Sequence, residues 1–558
     1  MSIVWESNLL SSGVSPELAK LIPEIIETCK EEGLDPFELA IEEYNADEIA
    51  EIAAYGGFPV RYPHFSFGQS YESLHHQYHT GQGKIYEMVV NNDPTYMYLQ
   101  RNNPLVDNLT VVAHALAHSD FFKNNIMFGH TNRNMMNVLA NHGQKIRKYI
   151  DLYGYNTVMD FVDACLSIDD LIDPSSGWKV PEALNHPKKI QFDELPEVEQ
   201  LDKIDSSYYM DKFVNTDEHK AEQRKKHRQI QKHNKKTVPN KPQRDVLLCL
   251  LKYVPMEQWK QNILSMIREE AIYFQPQMLT KVMNEGWASF WDSYIMAKKG
   301  YAGDEGIISY AKHHAGVLGG KHNMGNPYKL GVTIFNDIES RWNKGQHGRE
   351  WESCEYIDKK RAWDTKSMEG KEKMFEVREF YNDYTFINEF FTKDFCEKHE
   401  FFEYKLNRDT NEYVIESRDY EKIKKKILKR HENGGRPVIM IENMKYKSGN
   451  EVLFRHQFDG TPLDGEYTKQ TLKKIYSIVG RPINIKTIDV DIIETTSYSS
   501  RSSTNNYFGY LTVPTRNEEE YELTPVIHRY DGVRFTRVKD EKSAREAAQE
   551  NLMLFDIT

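Results

Sequence analysis

Two histidines four residues apart, His114 and His118, lie in the segment VVAHALAHSDFFKNN. On a helix this spacing puts both imidazoles on one face, one turn apart, as a metal requires of two neutral nitrogen ligands. Spacing alone does not decide the matter, because His75 and His79 in HHQYH repeat it. The surroundings say more. Val111, Val112, Ala113, Leu116 and Ala117 flank the first pair, so both imidazoles should be buried, and buried imidazoles need partners. Those partners are either a metal or hydrogen-bonding groups of a core. A carboxylate in similar company is Glu285, among Met283, Trp287 and Phe290 in MNEGWASFW. Burying it is costly unless it meets a cation or an arginine, such as Arg61 or Arg268. Asp292 follows seven residues later, two turns along the same face, placed either to ligate or to orient a ligand.

These side chains need helices to carry them, and the chain supplies helical patterns. VSPELAKLIPEIIETCKEEG has apolar residues at helical spacing with Ser15-Pro16 at its start. DPFELAIEEYNADEIAEIAAYGG reads as a second helix, opened by Asp35-Pro36 and closed by Gly56-Gly57. The aromatic, proline-bearing FPVRYPHFSFGQSYE cannot begin as a regular helix. A strand or short helix is expected within 84–100, then a long helix near 105–124, with further helices in MNVLANHGQKIRKYIDLYG, NTVMDFVDACLSI, DVLLCLLKYVPMEQWKQNILSMIREEAIYF, TKVMNEGWASFWDSYIMAKKG and 371–400. From about 436 the pattern changes. RPVIMIENM, NEVLFRHQF and PINIKTIDVDI read as strands, TPLDGEYTKQTLKKIYSIVG as a helix with a glycine stop, and 506–538 as one more strand pair. Because His114 and Glu285 must meet, residues 1–435 are expected to form one mainly helical unit, crossed by a charged insertion at about 172–243. Residues 436–558 then form a small α/β domain. The class is α+β.

Composition bounds the function. The chain has 558 residues, a formal net charge of −12 and 39% hydrophobic residues, with 33 Tyr, 26 Phe and 8 Trp. Disordered chains are poor in aromatics, so several packed cores are expected. No apolar run reaches the 18 or so residues of a membrane span. The start, MSIVWESNLL, lacks the basic and long apolar regions of a secretory signal. Cys29, Cys165, Cys249, Cys354 and Cys396 are widely spaced and form no CxxC pair, which argues for free thiols and a cytoplasmic setting. An acidic chain gives no strong nucleic-acid signal. The basic stretch AEQRKKHRQIQKHNKKTVPNKPQRD reads as a solvated insertion rather than a phosphate-binding patch.

Read together, HALAH and the later NEGWASFW resemble the gluzincin aminopeptidases, which carry HExxH on one helix and an NEGFA-type segment on a second. The resemblance implies a zincin-like helical domain, zinc as cofactor, and His114, His118 and Glu285 as its ligands. One departure bears on mechanism. Ala115 stands where HExxH has its general base, and acid–base help of that kind is worth about 10²–10⁴-fold. Either another residue supplies the base or the metal serves another chemistry. Two histidines, a carboxylate and open positions also fit non-heme iron.

A longer set of segments, FPVRYPHFSFGQSYE, KIYEMVVNNDP, VVAHALAHSDFFKNN, MNEGWASFW, NPYKLGVTIFNDIESRW and REFYNDYTFINEFF, occurs in an order that closely resembles the SpoVR family (stage V sporulation protein R). NEVLFRHQFDGTPLDGEYTKQTLKKIYSIVGRPINI resembles that family's C-terminal region. The family usually carries a histidine where Asp292 stands. The resemblance implies a link to spore cortex or cell-envelope formation, and a serine kinase and a von Willebrand-type protein as partners. Within the family-type segments, Glu87, His64 and Asp120 are the candidate bases. Arg61, Asn284, Asp292, Tyr328 and Asp337 are candidates to bind substrate or to support the ligands. Each also has a structural reading: loop packing for Arg61 and His64, an ion pair for Glu87, a helix-face partner for Asp120, and a charge network with Glu339 and Arg341 for Asp337. Pro327 and Gly331 bracket Tyr328 in what reads as a fixed turn before a helix.

Three functions follow. The first is a metal-dependent hydrolase of peptide or amide bonds. The second is a non-catalytic scaffold that keeps a degenerate peptidase core and works with a kinase. The third is an iron-dependent redox enzyme.

Overall fold

The pattern PELAKLIPEIIETCKE becomes helix α1 (Pro16–Glu31) in the computed structural model, which describes residues 9–10, 12–80, 87–178, 238–319, 325–407, 410–492 and 521–540. Pro16 takes a first-turn position, where its missing N–H costs nothing. Leu18, Ala19, Ile22, Ile25, Ile26 and Cys29 bury one face.

The next segment departs from the single expected helix. It forms strand β1 (Leu39–Tyr44) and then helix α2 (Ala46–Ala54). LAIEEY alternates buried and half-buried side chains, the period-2 pattern of a strand. Its ladder partner is remote in sequence, so a local helical reading could not see it. Asn45 restarts the helix: its side chain accepts from the Asp47 and Glu48 N–H groups, while Glu48 accepts from the Asn45 N–H. Helix α3 (Phe65–His79) follows the VRYPHF turn, capped by His64. Strands β2 (Glu87–Val90) and β3 (Thr95–Gln100) complete a sheet of order β1-β3-β2, with β1 parallel and β2 antiparallel to β3.

Helix α4 (Leu105–Asn124) is buried on every side from Asp107 to Phe122, which places it at the centre rather than on the surface of its unit. Helix α5 (Met135–Tyr153) follows. Helix α6 (Lys281–Ser293) is also largely buried and runs on into a π-helical turn, Tyr294–Lys298. Helices α7 (Gly303–Val317), α8 (Pro327–Asn343), α9 (Gly370–Phe380) and α10 (Asp383–Phe390) pack around this pair, and a hairpin of β4 (Glu403–Asn407) and β5 (Glu412–Ser417) comes after them. Tyr328 thus lies in the first turn of α8, with Asn326 as its cap.

Two glycines set how close α6 and α8 come. A Cβ on Gly286 would lie 2.4 Å from the Gly331 Cα, and one on Gly331 would lie 2.2 Å from the Val282 carbonyl oxygen. The backbones therefore touch. At the start of α6, the buried Asp383 carboxylate accepts from the Val282 and Met283 N–H groups, both at 2.9 Å, satisfying donors that the helix itself cannot.

The chain divides into two compact units, Met1–Met159 with Glu269–Arg436, and Asp160–Arg268 with Pro437–Thr558. The second holds a five-stranded sheet of order β10-β9-β8-β7-β6, built from β6 (Ile439–Lys445), β7 (Glu451–His456), β8 (Ile483–Ile492), β9 (Tyr521–Tyr530) and β10 (Phe535–Lys539). Strands β7 and β8 are parallel, joined by the helix Gly465–Val479, which Gly480 ends at φ 68°. The other neighbours are antiparallel. The α/β character read from 436 onward is present, and the 506–538 pair is β9 and β10. The described residues within Asp160–Arg268 group by contact with this sheet. Gln243 bridges to Ile441, the Val246 N–H donates to the Leu171 carbonyl, and Lys474 pairs with Asp163. Most of the charged insertion, 179–237, lies outside the described residues. Among the described residues no helix is long and apolar enough to cross a membrane.

Candidate metal centre

HALAH folds as helix because alanine and leucine favour it and tertiary packing fixes it. That puts His114 and His118 on one face of α4, their rings 4.7 Å apart and nearly perpendicular. Glu285 comes from α6, which packs against α4. Its Oε2 lies 3.6 Å from His114 Nε2 and 3.5 Å from His118 Nε2. These separations are long for hydrogen bonds. They match the edge of about 3.3–3.6 Å between ligands held 2.0–2.2 Å from a tetrahedral zinc. Glu285 Oε2 is buried with no hydrogen-bond partner. Burial opposes its ionisation, but with both imidazoles protonated their charge and Nε2–H groups outweigh burial and hold the carboxyl well below its usual range.

The other ring nitrogens have their own partners. His114 Nδ1 donates to Asp292 Oδ2 at 2.7 Å, and His118 Nδ1 donates to Asn284 Oδ1 at 2.9 Å. When the rings are neutral with the proton on Nδ1, each Nε2 presents its lone pair on the side of Glu285, the tautomer a metal ligand requires. Asp292 is held in turn. Its Oδ1 accepts from Ser293 at 3.2 Å and from Tyr310 at 3.5 Å, and lies 3.8 Å from His314 Nδ1. Burial and the nearby Asp292 push the Tyr310 hydroxyl up, so it stays a proton donor. The π turn starts immediately after this group, at Tyr294, and such turns often mark functional sites. The Tyr328 ring is 6.3 Å from that of His114.

The donor set of two imidazoles and one carboxylate, with a carboxylate and an amide behind the imidazoles, fits a divalent transition metal. His114, His118 and Glu285 would hold it.

The chain matches the family described as SpoVR like protein over residues 14–436. It belongs to the SpoVR family. It is 26% identical over 483 residues to the uncharacterized protein YcgB of Escherichia coli (strain K12), an alignment covering 82% of this chain and 89% of YcgB. No solved structure matches it.

The remaining candidates of this SpoVR chain make their contacts elsewhere. Asp120, two residues beyond the second histidine, accepts from the Trp287 indole at 3.0 Å and the Asp35 N–H at 2.8 Å, with Arg378 at 3.6 Å. Burial pushes it up to about 6 against the pull of Arg378. It ties α4 to α6 and α9. Arg61 pairs with Glu270 at 2.6 Å, both buried, and His142 joins the same carboxylate at 3.0 Å. Arg268 pairs with Asp245 at 2.6 Å. Neither arginine is the partner of Glu285. His64 caps α3 through Ser66. Asp337 pairs with Arg341 at 3.0 Å and Lys398 at 3.1 Å. Glu87 opens β2, and its side chain lies outside the described residues. Ser293 and Tyr310 escaped the sequence reading, and nothing in the sequence tied His314 to the ligands. The four-residue spacing of Tyr310 and His314 on one helix face was the available signal.

Proposed function

We propose that this SpoVR chain is a metal-dependent hydrolase acting on peptide or amide bonds, in a zincin-like arrangement and in the service of the cell envelope. The convergence of both Nε2 atoms on Glu285, with both Nδ1 atoms held by Asp292 and Asn284, carries the reading. Zinc is favoured because a carboxylate behind a histidine is the common companion of zinc-binding imidazoles. When bound there, zinc supplies a polarised carbonyl or a water of lowered pKa.

The chain's own residues set the rest. Asp292 keeps His114 in one tautomer and one orientation. Ser293 and Tyr310 keep Asp292 in place. Tyr328, beside His114, is the hydroxyl-bearing side chain offered to a substrate. Ala115 is fully buried in the core, so no base stands at the position of the HExxH glutamate.

The test is metal analysis of purified protein before and after zinc supplementation. One tightly held equivalent is expected in the wild type and none in His114→Ala, with peptide or amide hydrolysis that chelation abolishes. Lack of stoichiometric metal in both samples, unaffected by His114→Ala, sinks the proposal. Iron in place of zinc would move the assignment to redox chemistry.

Ala115 also supports a second reading, a regulator that keeps the metal for structure. It predicts that Glu285→Gln lowers stability while biological function persists in cells. Loss of that function in a folded Glu285→Gln protein would exclude it.

A further inference from the structure

The second histidine pair of the sequence is also brought to a third ligand. His75 and His79 occupy the last two turns of α3, and Asp47 the first turn of α2. His79 Nε2 is 3.0 Å from His75 Nε2, and Asp47 Oδ1 is 3.5 Å from the first pair member and 3.7 Å from the second. The three distances approximate the edges expected between ligands around one transition-metal ion.

We propose that Asp47, His75 and His79 form a surface site for a divalent transition metal, distinct from the buried centre. Two imidazole nitrogens select zinc, copper or nickel over magnesium or calcium, which prefer oxygen. All three side chains are more than a third exposed, so the ion exchanges with solvent and keeps positions open for water or an outside donor. Its role follows from α3. This 15-residue helix has no buried side chain, and isolated helices of that length are marginal in water. An ion bridging one turn of α3 to the start of α2 fixes the helix where apolar packing does not. The alternative occupant is a proton shared by the two imidazoles beside the Asp47 carboxylate.

The experiment titrates chelator-treated, full-length protein with zinc ion and counts equivalents by calorimetry and elemental analysis. The His75→Ala/His79→Ala double variant should lose one equivalent relative to wild type, and Asp47→Asn should weaken that same equivalent. His114→Ala/His118→Ala should retain it, which separates this site from the buried one whatever the fate of that proposal. Hydrogen exchange in residues 65–79 should slow on adding zinc to wild type and not to the double variant. Equal stoichiometry in wild type and His75→Ala/His79→Ala, with no zinc-dependent protection of α3, overturns the proposal in favour of the shared proton.

Discussion

Asp292 Oδ2 lies 2.7 Å from His114 Nδ1, joining α6 to α4 behind the imidazole that faces Glu285. A carboxylate in this position fixes the ring and raises its basicity as a ligand. Asp292→Ala should therefore lower zinc affinity about 10–100-fold with the fold intact, and Asn284→Ala should act the same way through His118. Competition titration against a chromophoric chelator measures both. Unchanged affinity in the two variants would mean that neither residue supports a ligand.

Gly286 and Gly331 let the α6 and α8 backbones touch next to Glu285. Gly286→Ala should destabilise by about 1–3 kcal/mol, the usual cost of overpacking, because a methyl group would meet main chain rather than a side chain that can turn aside. Urea unfolding measures the loss. Zinc affinity should fall as well, since Glu285 is the neighbouring residue on the displaced helix.

Arg61 and Glu270 form a buried ion pair that includes none of the candidate ligands. Glu270→Ala should cost about 3–5 kcal/mol by removing one partner of a buried pair, whereas Arg61→Met/Glu270→Leu should recover much of it. Zinc stoichiometry at the buried centre should be the same in all folded variants. Loss of that zinc on replacing the pair would return Arg61 to the site.

Asp383 gives a pH dependence. Burial pushes it up to about 7 despite the two N–H groups it accepts from. An unfolded aspartate titrates near 3.9, so between about pH 4 and 7 the folded state holds a proton that the unfolded state has released. Its stability contribution is therefore full below about pH 4 and is lost as pH rises to about 7. His431, 3.7 Å away, is pushed by burial down to about 4 and works in the opposite sense, costing stability as pH falls from about 6.5. Asp383→Asn keeps the histidine and removes the carboxyl. Unfolding free energies measured from pH 4 to 8 should differ between wild type and Asp383→Asn by an amount that changes across this window and is constant above it. A difference independent of pH would rule out the raised aspartate.

Much of the candidate site was legible because the required chemistry leaves local marks. Two histidines at helical spacing in an apolar run, and a glutamate in another, are costly unless they meet a partner, so His114, His118 and Glu285 could be singled out. The long helix of residues 105–124 and the C-terminal alternation of strands and helix were legible for the same reason, since burial imposes periods of 3.6 and 2. The segment Leu39–Tyr44 was not. Its residues suit a helix equally well, and only pairing with β3, more than fifty residues away, makes it a strand.

The sequence by itself determined the family, the residue types able to bind a metal, and the absence of a glutamate at Ala115. Tertiary structure alone decided which polar groups serve them. Asp292 could have been a ligand or a support, and the reach of α6 across α4 makes it the support of His114. Asp120 could have oriented His118, but Trp287, Asp35 and Arg378 hold it, and Asn284 takes that role. Arg61 could have met Glu285, but it pairs with Glu270, which His142 also joins. In each case the competing partners are equally polar and far apart in sequence, so the choice rests on which helices touch, and Gly286 and Gly331 settle part of that by letting two backbones meet.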